Sequence, residues 1–328
     1  MLYIHGMGHF HPDNIIDNAF LTDLNIGTND EWIMERVGIK RRHTVLPLSY
    51  IKETHNADTR EAIKVSSYTD AQTGALASRL ALERTGIAPS DIGMVIAGCS
   101  APQYLSPPVA CSIAAELGIT APAFDLNSAC STFVFHLHHL LSMQPDKLPD
   151  YILVTIVENF TRVVDYSDRR SAVLFGDASV AAIVSPRKPS RMAVNFSVVE
   201  SDPSGWNKIY VPTSGYFFQE GSAVQAFAIR KTIATLRKVQ ENIKGDPKNM
   251  YFIGHQVNLL MLNNVREHCG INPDRHLFNV DEFGNCAAAG APAVLSMNWD
   301  KFKKDDEIAI VVVGAGLSWG GLIIQVNE

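Results

Sequence analysis

The sequence lacks the features of several large protein classes. No apolar run reaches the roughly 18–20 residues that a membrane-spanning helix needs. The first residues, MLYIHGMGHFHPDN, show neither the basic nor the apolar segment of a signal peptide. The five cysteines contain no CxxC spacing, which argues against a structural zinc site and a disulfide framework. We therefore expect a cytoplasmic protein with reduced thiols and no membrane partner.

A surplus of positive charge is also missing. The chain has 28 Lys and Arg against 34 Asp and Glu, a net charge of -6, which is a poor match to a general nucleic-acid binder. What the chain does have is a hydrophobic fraction of 46% over 328 residues, enough for a large core. Short apolar runs such as Ile92–Gly98, Tyr151–Val157 and Ile308–Val313 alternate with helical patterns. This alternation predicts an α/β fold with largely buried sheets.

The order of predicted elements occurs twice along the chain. Ser185–Ser190 (SPRKPS) is short, basic and contains prolines, as expected of a linker. It divides the sequence into an N-terminal half, residues 1–185, and a C-terminal half, residues 186–328.

The spacing within the halves also matches. Ile96 lies 34 residues before Cys130, and Ile253 lies 33 residues before Cys286. Each interval contains a strand, a helix and a bend. The pattern predicts that the bends at Cys130 and Asn285 are equivalent and face each other across the interface between the halves.

Cys130 is the candidate nucleophile. It follows a predicted strand at a bend where Ser128 and Ala129 are small, and a predicted helix starts at Ser131. A helix N-terminus carries partial positive charge and free N–H groups, which favour a thiolate. The alternative is a buried structural cysteine, since free cysteine is usually buried.

Two further polar residues stand at the ends of predicted strands or at bends. His255 follows the buried strand Met250–Gly254, and Asn285 follows Gly284. In open α/β sheets, sites form outside the carboxyl ends of the strands. His255 could equally be a hydrogen-bonded core residue, and Asn285 a helix N-cap.

Two other patterns suggest functions that the context does not support. The segment Gly314–Gly321 reads GxGxxxG and is followed by a strand, whereas a dinucleotide fingerprint needs a helix there. We interpret it as a turn between antiparallel strands whose N–H groups approach a reacting carbonyl. His136, His138 and His139 lie together without carboxylate or thiol partners at matching spacing, so we expect no metal site.

Taken in order, the motifs resemble the β-ketoacyl-acyl carrier protein synthase III family of the thiolase-like fold. The segments that carry the resemblance are NDEWIMERVGIKRRH (29–43), FDLNSAC (124–130), LFGD (174–177), GHQVN (254–258), GN (284–285) and GAGLSWG (314–320). The resemblance implies two pseudo-repeated βαβαβ halves in five layers, α-β-α-β-α, and a homodimer.

The same resemblance implies a decarboxylative Claisen condensation. Cys130 would accept the acyl group of a thioester. His255 and Asn285 would stabilise the enolate formed when a malonyl-type thioester loses CO₂, and the N–H groups of Cys130 and Gly316 would form an oxyanion hole. The substrates would be acyl-coenzyme A or acyl carrier protein thioesters, with no permanently bound cofactor.

Contacts with coenzyme A also follow from the resemblance. Trp32 and Arg36 would flank the adenine, and Arg169 would contact a phosphate or the nucleotide. Asn258 would line the pantetheine tunnel, and Gly221 would be a further residue that binds substrate or coenzyme A. Packing or solvated charge is the alternative interpretation for these side chains.

The sequence departs from the family in ways that bear on the pathway. Leu260 replaces a basic residue expected at the carrier-protein surface, and Glu267 stands beside Arg266. The loop 105–108 contains no glutamate, which disfavours relatives that join two long acyl chains. These departures favour a specialised fatty acid-like or polyketide pathway.

Two alternative functions remain. The chain could transfer an acyl group from Cys130 to an alcohol or amine, or serve as a non-catalytic subunit of a heteromeric condensing complex. Papain-like proteases also use Cys, His and Asn, but their CGSCW-type context is absent here.

Overall fold

The computed structural model describes residues 1–327, without the side chains of residues 222 and 223. The strands are β1 Leu2–Phe10, β2 Asn14–Asp17, β3 Arg41–Thr44, β4 Ile92–Gly98, β5 Ala123–Asp125, β6 Tyr151–Glu158, β7 Ala178–Ser185, β8 Met192–Ser201, β9 Ile209–Tyr210, β10 Phe218–Gln219, β11 Tyr251–Gly254, β12 Glu307–Gly314 and β13 Ser318–Val326. The α-helices are α1 Asn18–Asp23, α2 Asp30–Arg36, α3 Leu48–Thr54, α4 Thr59–Val65, α5 Asp70–Thr85, α6 Val109–Leu117, α7 Thr132–Ser142, α8 Arg169–Ala172, α9 Gly221–Gln240, α10 Leu259–His268, α11 Val280–Phe283 and α12 Gly290–Met297. Short 3₁₀ turns are Pro89–Asp91, Pro145–Lys147, Phe160–Val163, Pro203–Lys208, Pro273–Arg275 and Ala287–Ala289.

The strands of the two halves follow one another in a single sheet. In the described part of the chain, nine strands pair in the order β11-β12-β13-β8-β1-β7-β6-β4-β5. The first half contributes β5-β4-β6-β7-β1 and the second half β11-β12-β13-β8. Each half contains a parallel pair, β4 with β6 in the first half and β11 with β12 in the second, and the strands between these pairs and the junction of the halves are antiparallel. The halves therefore repeat one topology.

The halves meet where β1 pairs with β8, at Tyr3 opposite Ala193. Strand β7 ends at Ser185 and β8 begins at Met192. The division of the chain into domains 1–185 and 186–328 stays a prediction.

Helices form three layers around these strands. Helix α5 packs on β1 and β7, and α6 packs on β4 and β5. Helix α9 packs on β12 and β13 on the far side of the second half. The central helices α7 and α12 contact strands of both halves, and their apolar residues form one core with those strands. The strands of each half form one β layer of this continuous sheet, and the helices form the two outer layers and the central layer. This is the α-β-α-β-α arrangement predicted from the resemblance.

The equivalent bends are offset from the predicted alignment by two residues. The Asn127 side-chain oxygen accepts from Ala129 N at 2.9 Å, and Ala129 has φ 47°. The Asn285 oxygen accepts from Ala287 N at 3.0 Å, and Ala287 has φ 44°. In both bends an Asn side chain thus accepts from the backbone N–H two residues later, and that later residue has a left-handed φ. This shared turn aligns Asn285 with Asn127. The alignment of Cys130 with Cys286 was wrong, and Ala288 stands where Cys130 stands in the first half.

The first sixty residues contain more regular structure than the sequence indicated. They form the hairpin of β2 and β3 and the short helices α1 to α3, with α4 beginning at Thr59. Their buried residues, including Ile33 and Ile39, share a cluster with Phe160 and Phe175, and Cys130 packs against it. This segment thus closes one side of the site. No helix in residues 1–327 has the length and apolarity to cross a membrane.

Candidate active site

One cavity of about 290 Å³ brings the candidate residues of both halves together. Cys130 from the first half and His255 and Asn285 from the second half line it. So do Trp32 and Asn258. The full lining is Trp32, Arg36, Val37, Cys130, Phe160, Arg170, Val173, Leu174, Phe175, Ile209, Phe217, Gln219, Val224, Gln225, Phe227, Ala228, His255, Val257, Asn258, Met261, Asn285, Val313, Gly314, Ala315 and Leu317.

Backbone geometry and a serine cluster hold Cys130. The left-handed Ala129 turns the chain just before it. Behind it, the Ser131 hydroxyl lies 2.7 Å from the Ser318 hydroxyl and 3.0 Å from that of Ser128. Since Ser318 starts β13, these bonds tie the cysteine bend to the C-terminal turn.

The Cys130 thiol is protonated at neutral pH. Burial raises its pKa to about 12, and the charge of Glu158 acts in the same direction. Helix α7 begins only at Thr132, so the helix end is one residue further from the sulfur than predicted. Partial exposure of Cys130 is exposure to the cavity, which is itself enclosed by apolar residues. Desolvation therefore outweighs the helix dipole, and the expectation of a thiolate was wrong.

His255 directly follows β11 and is 6% exposed. Burial lowers its pKa to about 4, so the imidazole is neutral at pH 7. Within the described chain, its Nδ1 atom is buried and has no hydrogen-bond partner. Thiol and imidazole thus share the cavity as neutral groups.

Backbone contacts fix the Asn285 amide. Its N–H donates to Leu174 O at 2.8 Å, and its carbonyl accepts from Gly176 N at 3.2 Å. The side-chain oxygen accepts from Ala287 N, which only an oxygen can do, so the NH₂ group is the part free to donate. A Cβ at Gly284 would lie 2.8 Å from Leu174 O, which explains the glycine before Asn285.

The glycine-rich C-terminal turn lies against the cysteine bend. Gly314, Ala315 and Leu317 line the cavity, and β12 and β13 are antiparallel on either side of the turn, as predicted. A Cβ at Gly314 would lie 3.0 Å from the backbone nitrogen atoms of Cys130 and Ser131. Gly316 itself is in the turn with φ 119°, next to the lining residues rather than among them.

The cavity has an apolar wall and a polar mouth. The rings of Phe160, Phe175 and Phe217 form the wall, with centroids 4.7 Å apart for two pairs and 5.6 Å for the third. At the mouth, two guanidinium groups lie near the ring of Trp32, with the central carbon of Arg36 at 5.4 Å and that of Arg169 at 4.8 Å from the ring centroid.

At the mouth, the structure changes the roles predicted for several of the residues assigned to coenzyme A binding. Arg170, not Arg169, lines the cavity. Asn258 accepts from Met261 N and donates to Arg36 O, so it caps α10 as well as facing the cavity. Gly221 opens α9 outside the lining, with no atom within 4 Å of an added Cβ. Its predicted contact with coenzyme A gains no structural support.

The aromatic wall and Glu158 were not predicted from the sequence. Phe217 lies in an irregular segment without any pattern. Glu158 did leave a signal, a lone carboxylate at the end of the apolar run YILVTIV. The helical histidines point to separate partners, His136 to Leu126 O and His138 to the Ser197 hydroxyl. In the described part of the chain, no three potential ligands converge on a metal position.

Comparisons with known proteins agree with this fold. Residues 124–203 match the 3-oxoacyl-[acyl-carrier-protein (ACP)] synthase III family model, and residues 247–326 match its C-terminal model. A β-ketoacyl-[acyl-carrier-protein] synthase III of Syntrophomonas wolfei is 31% identical over 98% of this chain and 96% of its own.

Solved structures show the same architecture. The 3-oxoacyl-[acyl-carrier-protein] synthase III of Aquifex aeolicus is 26% identical, with a TM-score of 0.88 over 99% of this chain and all of its own. The priming β-ketosynthase of the R1128 polyketide pathway shares the fold, with a TM-score of 0.83 at 24% identity over 100% of this chain and 97% of its own.

The fold and the cavity define a thiolase-fold condensing enzyme, with elements from both halves around one buried site. Within that class, the chain belongs to the β-ketoacyl-[acyl-carrier-protein] synthase III family.

Proposed function

We propose that the protein condenses an acyl group carried on Cys130 with a malonyl-type thioester, with loss of CO₂, to give a β-ketoacyl thioester. The observation that carries this proposal is the shared cavity of Cys130, His255 and Asn285. The donors are acyl thioesters of coenzyme A or of a carrier protein, and no permanently bound cofactor takes part. The pathway is fatty acid or polyketide biosynthesis.

The first half-reaction is an acyl transfer to the thiol. Because burial keeps the thiol protonated, its proton passes to the neutral imidazole of His255 as the sulfur attacks the thioester carbonyl. The proton then leaves with the thiol of the donor. The negative oxygen of the tetrahedral intermediate lies toward the Cys130 N–H and the glycine-rich turn, where Gly314 leaves space.

The second half-reaction uses the donor pair of the other half. As the bond to CO₂ breaks, its electron pair forms an enolate, and the thioester oxygen takes the negative charge. An N–H of neutral His255 and the NH₂ of Asn285 donate to that oxygen. One such donor is worth about 3–4 kcal/mol. The enolate carbon then attacks the acyl-cysteine, and the C–S bond breaks. The released Cys130 sulfur takes up a proton from water and returns to the neutral thiol.

Separate measurement of the two half-reactions tests the assignment. In Asn285→Ala, we expect acyl loading of Cys130 within about threefold of the unsubstituted protein and release of CO₂ from malonyl thioester reduced by about 100-fold. Radiolabelled CO₂ and intact-protein mass report the two steps. A protein that loads the acyl group but releases no CO₂ even with Asn285 in place would instead be a cysteine-dependent acyltransferase.

We also propose that the mouth binds the nucleotide end of a coenzyme A donor. Trp32 offers an aromatic face, while Arg36 and Arg170 offer positive charge for phosphates. The exposed Leu260, 45% accessible, contributes no charge toward an acidic carrier protein.

The protein is proposed to be a cytoplasmic homodimer. Among the strands of residues 1–327, β5 is an edge strand that pairs only with β4, and its Phe124 is 38% exposed. The neighbouring Tyr104 and Leu105 are 64% and 81% exposed. An open edge beside apolar side chains favours pairing with a second copy. The free state of all five cysteines suits a reducing compartment.

A further inference from the structure

Arg42, in β3, carries a positive charge that is completely removed from water. Its side chain is 0% exposed, and burial lowers its pKa to about 9, so the guanidinium remains charged at pH 7. In the described chain its hydrogen-bond acceptors are neutral. Nε donates to Val173 O at 3.0 Å, Nη2 donates to the same oxygen, and Nη1 donates to the Asn18 side-chain oxygen at 2.6 Å. These bonds fix the guanidinium between Val173 and Asn18.

Arg42 and Asn285 bind neighbouring peptide groups of one short segment of backbone. The guanidinium binds the carbonyl of Val173. The next carbonyl, Leu174 O, accepts from Asn285 N at 2.8 Å, and Gly176 N donates to Asn285 O at 3.2 Å. The segment therefore links the Arg42 head group to the backbone on both sides of the Asn285 side chain.

The aliphatic part of Arg42 packs against the bend itself. A Cβ added at Gly284 would lie 2.8 Å from Arg42 Cγ. A Cβ added at Gly176 would lie 3.3 Å from Arg42 Cβ and 2.2 Å from Phe283 O. Three segments of the chain thus meet at Arg42 without room for another methyl group, and a shift of its side chain would move the bend that carries Asn285.

The cysteine bend has separate supports. Hydroxyl groups of Ser128, Ser131 and Ser318 surround it, and their printed bonds do not involve Arg42. Arg42 is also not among the residues that line the cavity, so it does not contact a substrate there. Any effect of Arg42 on the reaction must pass through the residues that it holds.

We propose that Arg42 is a positioning residue for Asn285. By fixing the Val173 carbonyl and packing on Gly284, it keeps the Asn285 amide where its NH₂ group donates to the enolate oxygen. Acyl loading needs Cys130 and His255, whereas loss of CO₂ also needs that amide, so the two half-reactions differ in their dependence on Arg42. This inference rests on the proposed function of Asn285, whereas the mechanical link between Arg42 and the bend does not.

The first test removes the guanidinium and keeps the charge. Lysine is a point charge and does not reproduce the planar fork that binds Val173 and Asn18 together. In Arg42→Lys, we expect acyl loading of Cys130 within about threefold of the unsubstituted protein and CO₂ release reduced by about 30-fold, somewhat less than the roughly 100-fold that a 1 Å displacement of a catalytic group costs. If the charge alone mattered, Arg42→Lys would release CO₂ normally.

The second test restores the missing head group from solution. Arg42→Ala leaves a space that matches a guanidinium ion, and guanidinium chloride at about 50 mM is far below the molar concentrations that unfold proteins. We expect this ion to raise CO₂ release by Arg42→Ala at least about fivefold, as the displaced amide returns to its place. Arg42→Lys fills the space and should not respond to the ion.

Arg162 supplies the matched control. Its side chain is 2% exposed, and its guanidinium donates to Asp70, to the Ser66 hydroxyl and to Tyr68 O. None of these partners belongs to either bend. Arg162→Lys thus replaces a buried guanidinium in the same way, but its ratio of acyl loading to CO₂ release should equal that of the unsubstituted protein.

Amide hydrogen exchange measures the link without catalysis. The Asn285 N–H is protected by its bond to Leu174 O. In Arg42→Lys, we expect the peptide that contains Asn285 to exchange at least about tenfold faster, since local opening becomes easier there. The peptide that contains Cys130 should exchange as it does in the unsubstituted protein.

Four results would each overturn the inference. They are normal CO₂ release by Arg42→Lys, an equal loss of both half-reactions in that variant, unchanged exchange at Asn285, and a folded Arg42→Ala protein that does not respond to guanidinium. If Arg42→Ala does not fold, the first three measurements on Arg42→Lys decide. If the unsubstituted protein releases no CO₂ at all, the proposed function fails, and hydrogen exchange still decides whether Arg42 holds the bend.

Discussion

The inner end and the mouth of the cavity are built on different physical principles. At the inner end, Cys130, His255 and Asn285 are held by turns and backbone hydrogen bonds, and the first two are neutral because they are buried. At the mouth, Trp32 and Arg36 belong to a short surface helix, and Arg36 is exposed. The positive charges there remain in contact with water.

This difference separates chemistry from recognition. A buried, neutral set of donors favours a transition state that develops negative charge, since each donor acts without competition from water. A solvated aromatic and cationic mouth binds a nucleotide by stacking and by screened charge, which contribute modestly. Substitutions at the inner end should therefore change rate constants, and substitutions at the mouth should change KM.

Filling the space beside Gly314 should have the largest effect. In Gly314→Ala, the new Cβ would meet the Cys130 and Ser131 nitrogen atoms at 3.0 Å and crowd the oxygen of the tetrahedral intermediate. We expect acyl loading to fall by about 100-fold or more, measured as the initial rate of mass gain. Gly245→Ala, whose Cβ would meet only Glu307 at 3.4 Å, is the control. Equal rates of acyl loading in the two variants would show that Gly314 has no role in the first half-reaction.

The neutral thiol makes a second prediction. Burial raises the pKa of Cys130 to about 12, so the thiolate fraction grows throughout the neutral and alkaline range. Alkylation of Cys130 by iodoacetamide should therefore accelerate about tenfold per pH unit from roughly pH 7 to 10, without a plateau. Peptide mapping isolates its rate from that of the other cysteines. A plateau of the alkylation rate near neutral pH would mean that Cys130 is a stabilised thiolate. The inner end would then carry a charge, as the mouth does.

Loss of the aromatic face at the mouth should have the smallest effect. For Trp32→Ala, we expect KM for an acyl-coenzyme A donor to rise about tenfold, with kcat within about twofold. With an acyl-pantetheine donor, which lacks the nucleotide, the two proteins should behave alike. The exposed Trp206 provides the matched substitution, Trp206→Ala. A large fall in kcat for Trp32→Ala would show that the mouth also shapes the inner end.

The sequence predicted the inner end better than the mouth for a physical reason. Short apolar runs locate buried strands, and functional residues such as His255 and Cys130 stand just beyond their ends. The predicted alignment of the two bends was wrong by two residues. The correct alignment depends on the left-handed φ of Ala129 and Ala287, which the pattern of apolar residues does not reveal. The pKa of Cys130 could not be predicted either, since desolvation depends on side chains distant in sequence, such as Phe160.

The mouth depends on tertiary placement to a greater degree. Arg169 and Arg170 are neighbours in the sequence, and only the start of α8 decides that one stacks on Trp32 while the other lines the cavity. Phe217 reaches the aromatic wall from a segment without regular structure. The sequence alone cannot show which of these side chains reach the cavity, because their positions depend on how the folded elements pack together.

The central claim is that the Cys130 sulfur carries the acyl group, and intact-protein mass spectrometry with a panel of acyl thioesters tests it directly. We expect the unsubstituted protein to gain the mass of one acyl group, located on the peptide that contains Cys130, and Cys130→Ala to gain none. Equal acyl mass on the Cys130→Ala protein would contradict the account.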